Sequence, residues 1–282
     1  MPKFDATYVP QSAMAIFAHP DDAEFTVSGT IAKWARAGCE VTLVLCTSGN
    51  AGTHDLKYTR ESLAETREAE QQAAAQALGV KDVVFLRHDD CQLVPTLELR
   101  RELVREIRKF KPEVVMTGDP QAWFYDNSYI NHPDHRAAAV AALEAVFPCA
   151  EMELLWPEEG PVHKVHAVYV GSTNAPNTWI DISATIDAKI ASLKAHASQM
   201  GDWDPSDMIR EWAGHEARNT HQHHDKHGDK HHDKHHKHDK RDKRRHHHKD
   251  HKHNNHEQSS PASYVEGFRV MKLQEEEKPP ES

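Results

Sequence analysis

The chain has 282 residues, which is enough for one large α/β domain with its own core or for two small domains. Acidic residues outnumber basic ones by 44 to 34, and the formal net charge of -10 argues against broad binding to nucleic acid, which depends on basic contacts to phosphate. No window approaches the roughly 18 consecutive apolar residues of a membrane helix, and no apolar leader with a small-residue cleavage site opens the chain, so we predict a cytoplasmic protein without a membrane span.

Apolar runs alternate with stretches of helical spacing along most of the chain. In chain order the predicted elements are a strand at 14–18, a helix at 24–37, a strand at 41–46, a helix at 60–78, a strand at 83–86, a helix at 96–110, a strand at 114–117, a helix at 134–147, a strand at 165–170, and helices at 183–196 and 204–212. Gly38 and Gly79 directly follow the first two helices, which is typical of helix C-termini.

This alternation predicts the fold class. The strand segments are nearly continuous apolar runs, and helices of ten or more residues separate them, which indicates a parallel sheet covered on both faces. We therefore predict an α/β fold with a Rossmann-like, doubly wound, mostly parallel sheet. In such sheets ligands bind outside the carboxyl ends of the strands, so the loops that follow the strands are the place to look for chemistry.

The composition divides the chain into four parts. Residues 1–218 are predicted to form the α/β domain, and residues 219–262 are an insert dominated by His, Lys and Asp. The insert has no apolar face that could offset the entropy of ordering, so we predict that it is disordered. Residues 263–273 regain a strand-like or short helical pattern and are predicted to return to the domain. Residues 274–282 are an acidic tail.

Two short motifs carry the reactive side chains. HPDD at 19–22 stands between the first predicted strand and the first helix, and HPDH at 132–135 follows the loop after the fourth strand. Within each motif the first and last residues are three apart, so both side chains can point into one site. Each motif alone could be only a turn with a helix cap, because Pro and Asp favour both. Two such motifs at the carboxyl ends of strands in one sheet favour a shared site instead.

Histidines and carboxylates in this number can build a hydrolytic metal centre. Catalytic zinc is usually held by three protein ligands from His, Asp and Glu, with one position left for water. A carboxylate outside the metal shell can take the proton of that water, and a further histidine can stabilise the oxyanion or protonate the leaving nitrogen. Together the two motifs contain every part of this machinery.

The motifs resemble those of the PIG-L/LmbE family of zinc-dependent de-N-acetylases. A-H-P-D-D-x-E near the N-terminus with a later H-P-D-H is typical of that family, and the resemblance extends from about residue 14 to 212 and resumes at 264. It implies that His19, Asp22 and His135 bind one catalytic Zn²⁺ per chain. It further implies an N-acetylglucosamine-type substrate.

The resemblance also implies roles for the other motif residues. Asp21 corresponds to the general base, His132 to the group that stabilises the oxyanion, and Asp134 to the residue that orients His132. Arg67 matches an arginine that contacts substrate in some relatives. Independently of the family, Asp90 follows the third predicted strand at the same edge, where it either binds a substrate hydroxyl or caps its loop.

The expected protein is thus a zinc-dependent hydrolase that removes an N-acyl group, above all N-acetyl, from an N-acetylglucosamine-type small-molecule conjugate. Association into a homo-oligomer is a further expectation from the family. The alternative is a metal-handling protein, in which the imidazoles of the insert buffer zinc or nickel. A dinucleotide enzyme is disfavoured, because HPDD occupies the turn where G-x-G-x-x-G would stand.

Overall fold

Seven strands form one mixed, mainly parallel sheet in the computed structural model, which describes residues 7–125, 127–228 and 263–273. The strands of this part of the chain are β1 Ser12–Phe17, β2 Glu40–Thr47, β3 Asp82–His88, β4 Val114–Thr117, β5 Phe124–Tyr125, β6 Tyr129–Ile130, β7 Ala167–Val170, β8 Thr178–Asp181 and β9 Val265–Lys272. The large sheet has the order β3-β2-β1-β4-β7-β9-β8; its first five strands are parallel, and β9 is antiparallel to both neighbours.

Helices cover both faces of the sheet. Their bounds are α1 Asp22–Thr26, α2 Ser28–Arg36, α3 Arg60–Leu78, α4 Leu97–Phe110, α5 Pro133–Val146, α6 Ile186–Lys194, α7 Ala197–Met200 and α8 Ser206–Gly228. Helices α2 and α6 share one apolar core with one face of the strands, and α4 and α5 share a second core with the other face. The predicted doubly wound α/β class is therefore confirmed.

The central strand shows why its sequence is apolar throughout. Ala13, Ala15 and Phe17 of β1 belong to the core that contains α2, whereas Met14 and Ile16 belong to the core that contains α5. Successive side chains of a strand point to opposite faces, so a strand buried on both faces has no position left for a polar residue.

Local signals explain where the helices begin and end. Helix α3 begins after Thr59, whose side chain accepts from the backbone of Ser62 in a capping box, and it ends at Gly79 with a left-handed φ of 78°. The predicted helix at 24–37 is instead two helices that meet at Val27. The hydroxyls of Thr26 and Ser28 bond to carbonyls four residues earlier, and such bonds bend helices.

The C-terminal part differs from the sequence prediction in two places. The pattern did not predict β8, which pairs with β9 at the edge of the sheet. Helix α8 continues to Gly228 and so passes the predicted start of the disordered insert at 219. The rest of the insert and the tail lie outside the described residues. Within the described ranges, no helix combines the length and the apolar character that crossing a bilayer requires.

The strand order places the site. β1 lies between β2 and β4, so the chain winds outward in opposite directions from the centre of the sheet. The loop after β1 and the loop after β4 therefore flank one crevice at the carboxyl ends of the strands, which is where ligands bind in open α/β sheets. The first loop carries HPDD, and the second leads through the β5–β6 hairpin to HPDH.

Candidate metal centre

The HPDD motif folds as a tight turn between β1 and α1. The Asp22 carboxylate accepts from the backbone N–H of His19 at 2.9 Å, which ties the last residue of the motif to the first. Asp21, between them, has a left-handed φ of 98°, which is uncommon for a residue other than glycine. This turn aims the His19 and Asp22 side chains at the same side.

The HPDH motif folds as the N-terminus of α5. His132 is the N-cap, and its Nδ1 accepts from the backbone N–H of Asp134 at 3.2 Å. Pro133 stands at the first helical position, where its missing N–H costs nothing. His135 follows in the first turn of the helix and therefore faces the crevice together with His132.

The structure brings the three predicted metal ligands together. Asp22 lies between the two histidines: its Oδ1 is 3.0 Å from His135 Nε2, and its Oδ2 is 3.4 Å from His19 Nδ1. One ligand atom from each of His19, His132 and His135 also lies within 4.8 Å of the others. Four side chains from two segments more than a hundred residues apart thus share one small volume.

Electrostatics in this cluster depart from those of isolated groups. Burial alone would lower the pKa of His19, but the Asp22 charge and hydrogen bonds to neighbouring carboxylates hold that pKa well above its usual value. Burial alone would raise the pKa of Asp22, but the His135 and His19 rings hold it well below its usual value. The Asp22 carboxylate and the His19 imidazole therefore stabilise each other's charged forms.

Two further carboxylates contact the second nitrogen of His19. His19 Nε2 is 3.1 Å from Asp90 Oδ1 and 3.3 Å from Asp134 Oδ2. Burial would raise the pKa of Asp90, but its hydrogen bond to His19 lowers it to about 2. Asp90, predicted to contact substrate, and Asp134, predicted to orient His132, both reach the site, where each contacts His19. Asp134 contacts His132 through its backbone N–H.

The Asp21 carboxylate is held by Arg67. The buried guanidinium donates to Asp21 Oδ2 at 3.2 Å and to the carbonyls of Pro20 and Gly49 at 2.6 Å and 3.1 Å. Burial raises the pKa of Asp21 to about 6, although Arg67 acts in the opposite direction. Gly49 has a φ of 62°, and a Cβ there would overlap the guanidinium. Arg67, predicted to contact substrate, is thus packed beneath the turn.

Two residues to which the sequence assigned no role also belong to the site. Cys91 is exposed, has a left-handed φ of 64°, and places its Sγ 3.3 Å from His132 Nε2. Asn131 is buried and places its Oδ1 3.0 Å from His135 Nδ1. Their positions, directly after Asp90 and directly before HPDH, were the only signals in the sequence.

A divalent metal ion fits this cluster by the chemistry of its donors. The donors are one nitrogen each from His19 and His135 and the two carboxylate oxygens of Asp22. Each nitrogen already lies within 3.4 Å of an Asp22 oxygen. The remaining nitrogen of His19, Nε2, contacts the Asp90 carboxylate, and the remaining nitrogen of His135, Nδ1, contacts the Asn131 amide oxygen. Such partners behind a ligating histidine are characteristic of metal sites in proteins.

Comparison with known proteins identifies the family. The model of the PIG-L family, described as GlcNAc-PI de-N-acetylase, matches residues 14–146. A diacetylchitobiose deacetylase from Thermococcus kodakarensis is 34% identical over 206 residues, which are 72% of this chain and 73% of that protein. The chain belongs to the PIG-L family of de-N-acetylases. Both HPD motifs lie inside the matched range, so the predicted family membership is confirmed.

Solved structures agree with the fold. The N,N'-diacetylchitobiose deacetylase from Pyrococcus horikoshii superposes with a TM-score of 0.70 at 26% identity, covering 95% of this chain and 88% of that one. A 4-carboxy-2-hydroxymuconate hydratase from Pseudomonas putida KT2440 superposes with a TM-score of 0.67 at 21% identity, covering 95% and 99%. Since a hydratase shares the architecture, the reaction has to be argued from the side chains of the site.

Proposed function

We propose that this PIG-L family member is a zinc-dependent hydrolase that removes the N-acetyl group from an N-acetylglucosamine-type small molecule. The observation that carries the proposal is the convergence of His19, Asp22 and His135 beside a separate carboxylate, Asp21, and a separate imidazole, His132. Metal-dependent hydrolysis of an amide uses these three functions: a Lewis acid, a base for water, and a donor for the oxyanion or the leaving nitrogen.

His19, Asp22 and His135 would hold the metal. Two imidazoles with one carboxylate are a common ligand set of catalytic zinc, and imidazole suits zinc better than magnesium or calcium. Zinc bound there would supply Lewis acidity to the acyl carbonyl and lower the pKa of a water to roughly 7. The proposal that the ion is zinc rests on this donor chemistry.

Asp21 acts as the general base. It is a neighbour of the ligand Asp22 in the chain, yet its carboxylate faces Arg67, which leaves it outside the proposed ligand set. Its pKa of about 6 brings it close to neutral pH, where a base combines an ionised form with useful basicity. The three hydrogen bonds of Arg67 hold the turn that presents Asp21 to the crevice.

His132 acts as the donor. Its Nδ1 accepts from the backbone N–H of Asp134, so the neutral ring carries its proton on Nε2. Burial and the neighbouring His19 and His135 rings lower the pKa of His132, which favours that neutral form. The Nε2–H group lies at the crevice, 3.3 Å from Cys91 Sγ, and can donate to an oxyanion or to a leaving nitrogen.

The substrate class comes from the relatives. The family description names a GlcNAc lipid, and the Thermococcus kodakarensis relative is named for diacetylchitobiose, so the shared part is an N-acetylated glucosamine and the attached group varies. Direct contacts of Arg67 and Asp90 with that substrate stay predictions, as do the cytoplasmic location and the homo-oligomer. Metal buffering by the insert is also a prediction, because most of that segment lies outside the described residues.

Asp21→Asn tests the proposal in an assay of amine release from N-acetylglucosamine conjugates, combined with zinc analysis of the same samples. We expect turnover to fall by about 10²–10⁴-fold, the usual contribution of a general base, while zinc content is unchanged. Asp89→Asn is the matched control. Asp89 is an exposed aspartate directly after β3, and its carboxylate pairs with Arg60. Wild-type turnover in Asp21→Asn would show that Asp21 is not the base. If the wild-type protein released no amine from these conjugates, the proposed function would be wrong.

A further inference from the structure

Asn131 joins the metal centre to the aromatic hairpin beside it. The residue is 4% exposed and stands between β6 and α5. Its backbone N–H donates to the carbonyl of Trp123 at 2.9 Å, which closes the base of the β5–β6 hairpin. Its backbone carbonyl accepts from Arg136, whose guanidinium lies 3.7 Å from the centre of the Trp123 ring. The backbone of Asn131 is therefore held on both sides.

The side-chain amide has one orientation. Its Nδ2 donates to the carbonyl oxygen of Ala122 at 2.8 Å, in a buried environment. A carbonyl oxygen can only accept, so the amide cannot flip without setting two oxygens against each other. The Asn131 Oδ1 atom must then face His135 Nδ1, 3.0 Å away.

This orientation determines which nitrogen of His135 carries the proton. An amide oxygen can only accept, so His135 Nδ1 is the donor and bears the hydrogen. With Nδ1 carrying a proton, Nε2 is the nitrogen left to bind a metal, and it lies 3.0 Å from Oδ1 of the proposed ligand Asp22. The ring is thus prepared to use Nε2 as a metal ligand.

We infer that Asn131 is a positioning residue that selects the Nδ1–H tautomer of His135 and the direction in which its Nε2 points. The inference rests on the proposed function, because it treats His135 as a metal ligand. A hydrogen-bond acceptor behind a ligating histidine fixes the ring and raises its basicity, and loss of such a partner typically weakens metal binding by 10–100-fold. Asn131 supplies the acceptor and also closes the base of the hairpin, so one residue ties the hairpin to the proposed metal site.

Asn131→Leu and Asn131→Asp separate this role from packing. Leucine has nearly the same size but no acceptor, whereas aspartate keeps an oxygen toward His135 and loses the donor to Ala122. We expect zinc affinity, measured by competition with a chromophoric chelator, to fall by about 10–100-fold in Asn131→Leu and to recover largely in Asn131→Asp. Asn127→Leu, at an exposed position of the same hairpin, should bind zinc as the wild type does.

A second measurement needs no substitution. Long-range ¹H–¹⁵N NMR of the zinc-loaded wild type should show His135 protonated at Nδ1 and ligated through Nε2. Wild-type affinity in Asn131→Leu, or a proton on His135 Nε2, would overturn the inference and leave the deacetylase proposal standing. A wild-type protein that binds no zinc would overturn both, and the zinc titration of the wild type distinguishes the two failures.

Discussion

The HPDD turn (residues 19–22) and the HPDH cap (residues 132–135) begin with the same three letters but fold differently. In the turn, the third letter is Asp21, which has a left-handed φ of 98°. In the cap, proline begins an α-helix and the equivalent Asp134 lies in its first turn. Identical letters therefore do not give identical geometry, because the element that follows each proline sets where the next side chains point.

The two motifs also exchange their contacts. Asp22 of the turn contacts His135 of the cap, and Asp134 of the cap contacts His19 of the turn. Each motif thus supplies a carboxylate to the other motif's histidine. Neither motif forms the site alone, and the site exists only when β1 and β4 are neighbours in the sheet.

The largest effect is expected for His19→Ala, which removes the ring that contacts carboxylates of both motifs. Zinc content should fall to background, and turnover should fall by about 10³-fold or more, because metal polarisation is worth several kcal/mol of barrier. Metal analysis and the amine-release assay measure both. His54→Ala, at an exposed loop position, is the matched control. Stoichiometric zinc in His19→Ala would show that the turn contributes no essential ligand.

An intermediate effect is expected for Asp134→Asn, which keeps the shape of the side chain and removes the charge behind His19. Zinc should bind about 10–100-fold more weakly, as is usual when a partner of a ligating histidine is lost. Competition with a chelator measures this affinity. Asp21→Asn should leave the same affinity nearly unchanged, because Asp21 faces Arg67. Equal zinc affinities of Asp134→Asn and Asp21→Asn would contradict the claim that Asp134 supports His19 whereas Asp21 lies outside the ligand set.

The smallest effect is expected for Pro133→Ala in the HPDH cap. Alanine can occupy the first helical position, so the loss is mainly the advantage of a restricted unfolded chain, about 0.4–1 kcal/mol in the free energy of unfolding. Chemical denaturation measures this change, and zinc affinity should remain at the wild-type value. A loss well above that range would mean that proline also fixes the direction of His132 and His135.

The order of elements could be read from the sequence because it depends on local pattern. Helix α3 and strand β4 have the predicted bounds, since capping residues and apolar runs are signals within a few neighbours. Strand β8 and the β5–β6 hairpin were not predicted. Thr178–Asp181 becomes a strand by pairing with Val265–Lys272, which follows it only after the whole insert. Sequence patterns are read over a few neighbouring residues, so they cannot reveal a strand partner that far along the chain.

The sequence specified which residue types could do the chemistry, because two motifs of His, Pro and Asp both stand at the carboxyl ends of strands of one predicted sheet. It did not specify which atoms meet. The contact of Asp134 with His19, the burial of Arg67 beneath Asp21 and the amide of Asn131 behind His135 arise only in the folded chain. Side-chain direction depends on the local φ and on which loops the sheet brings together, and both are decided by tertiary packing.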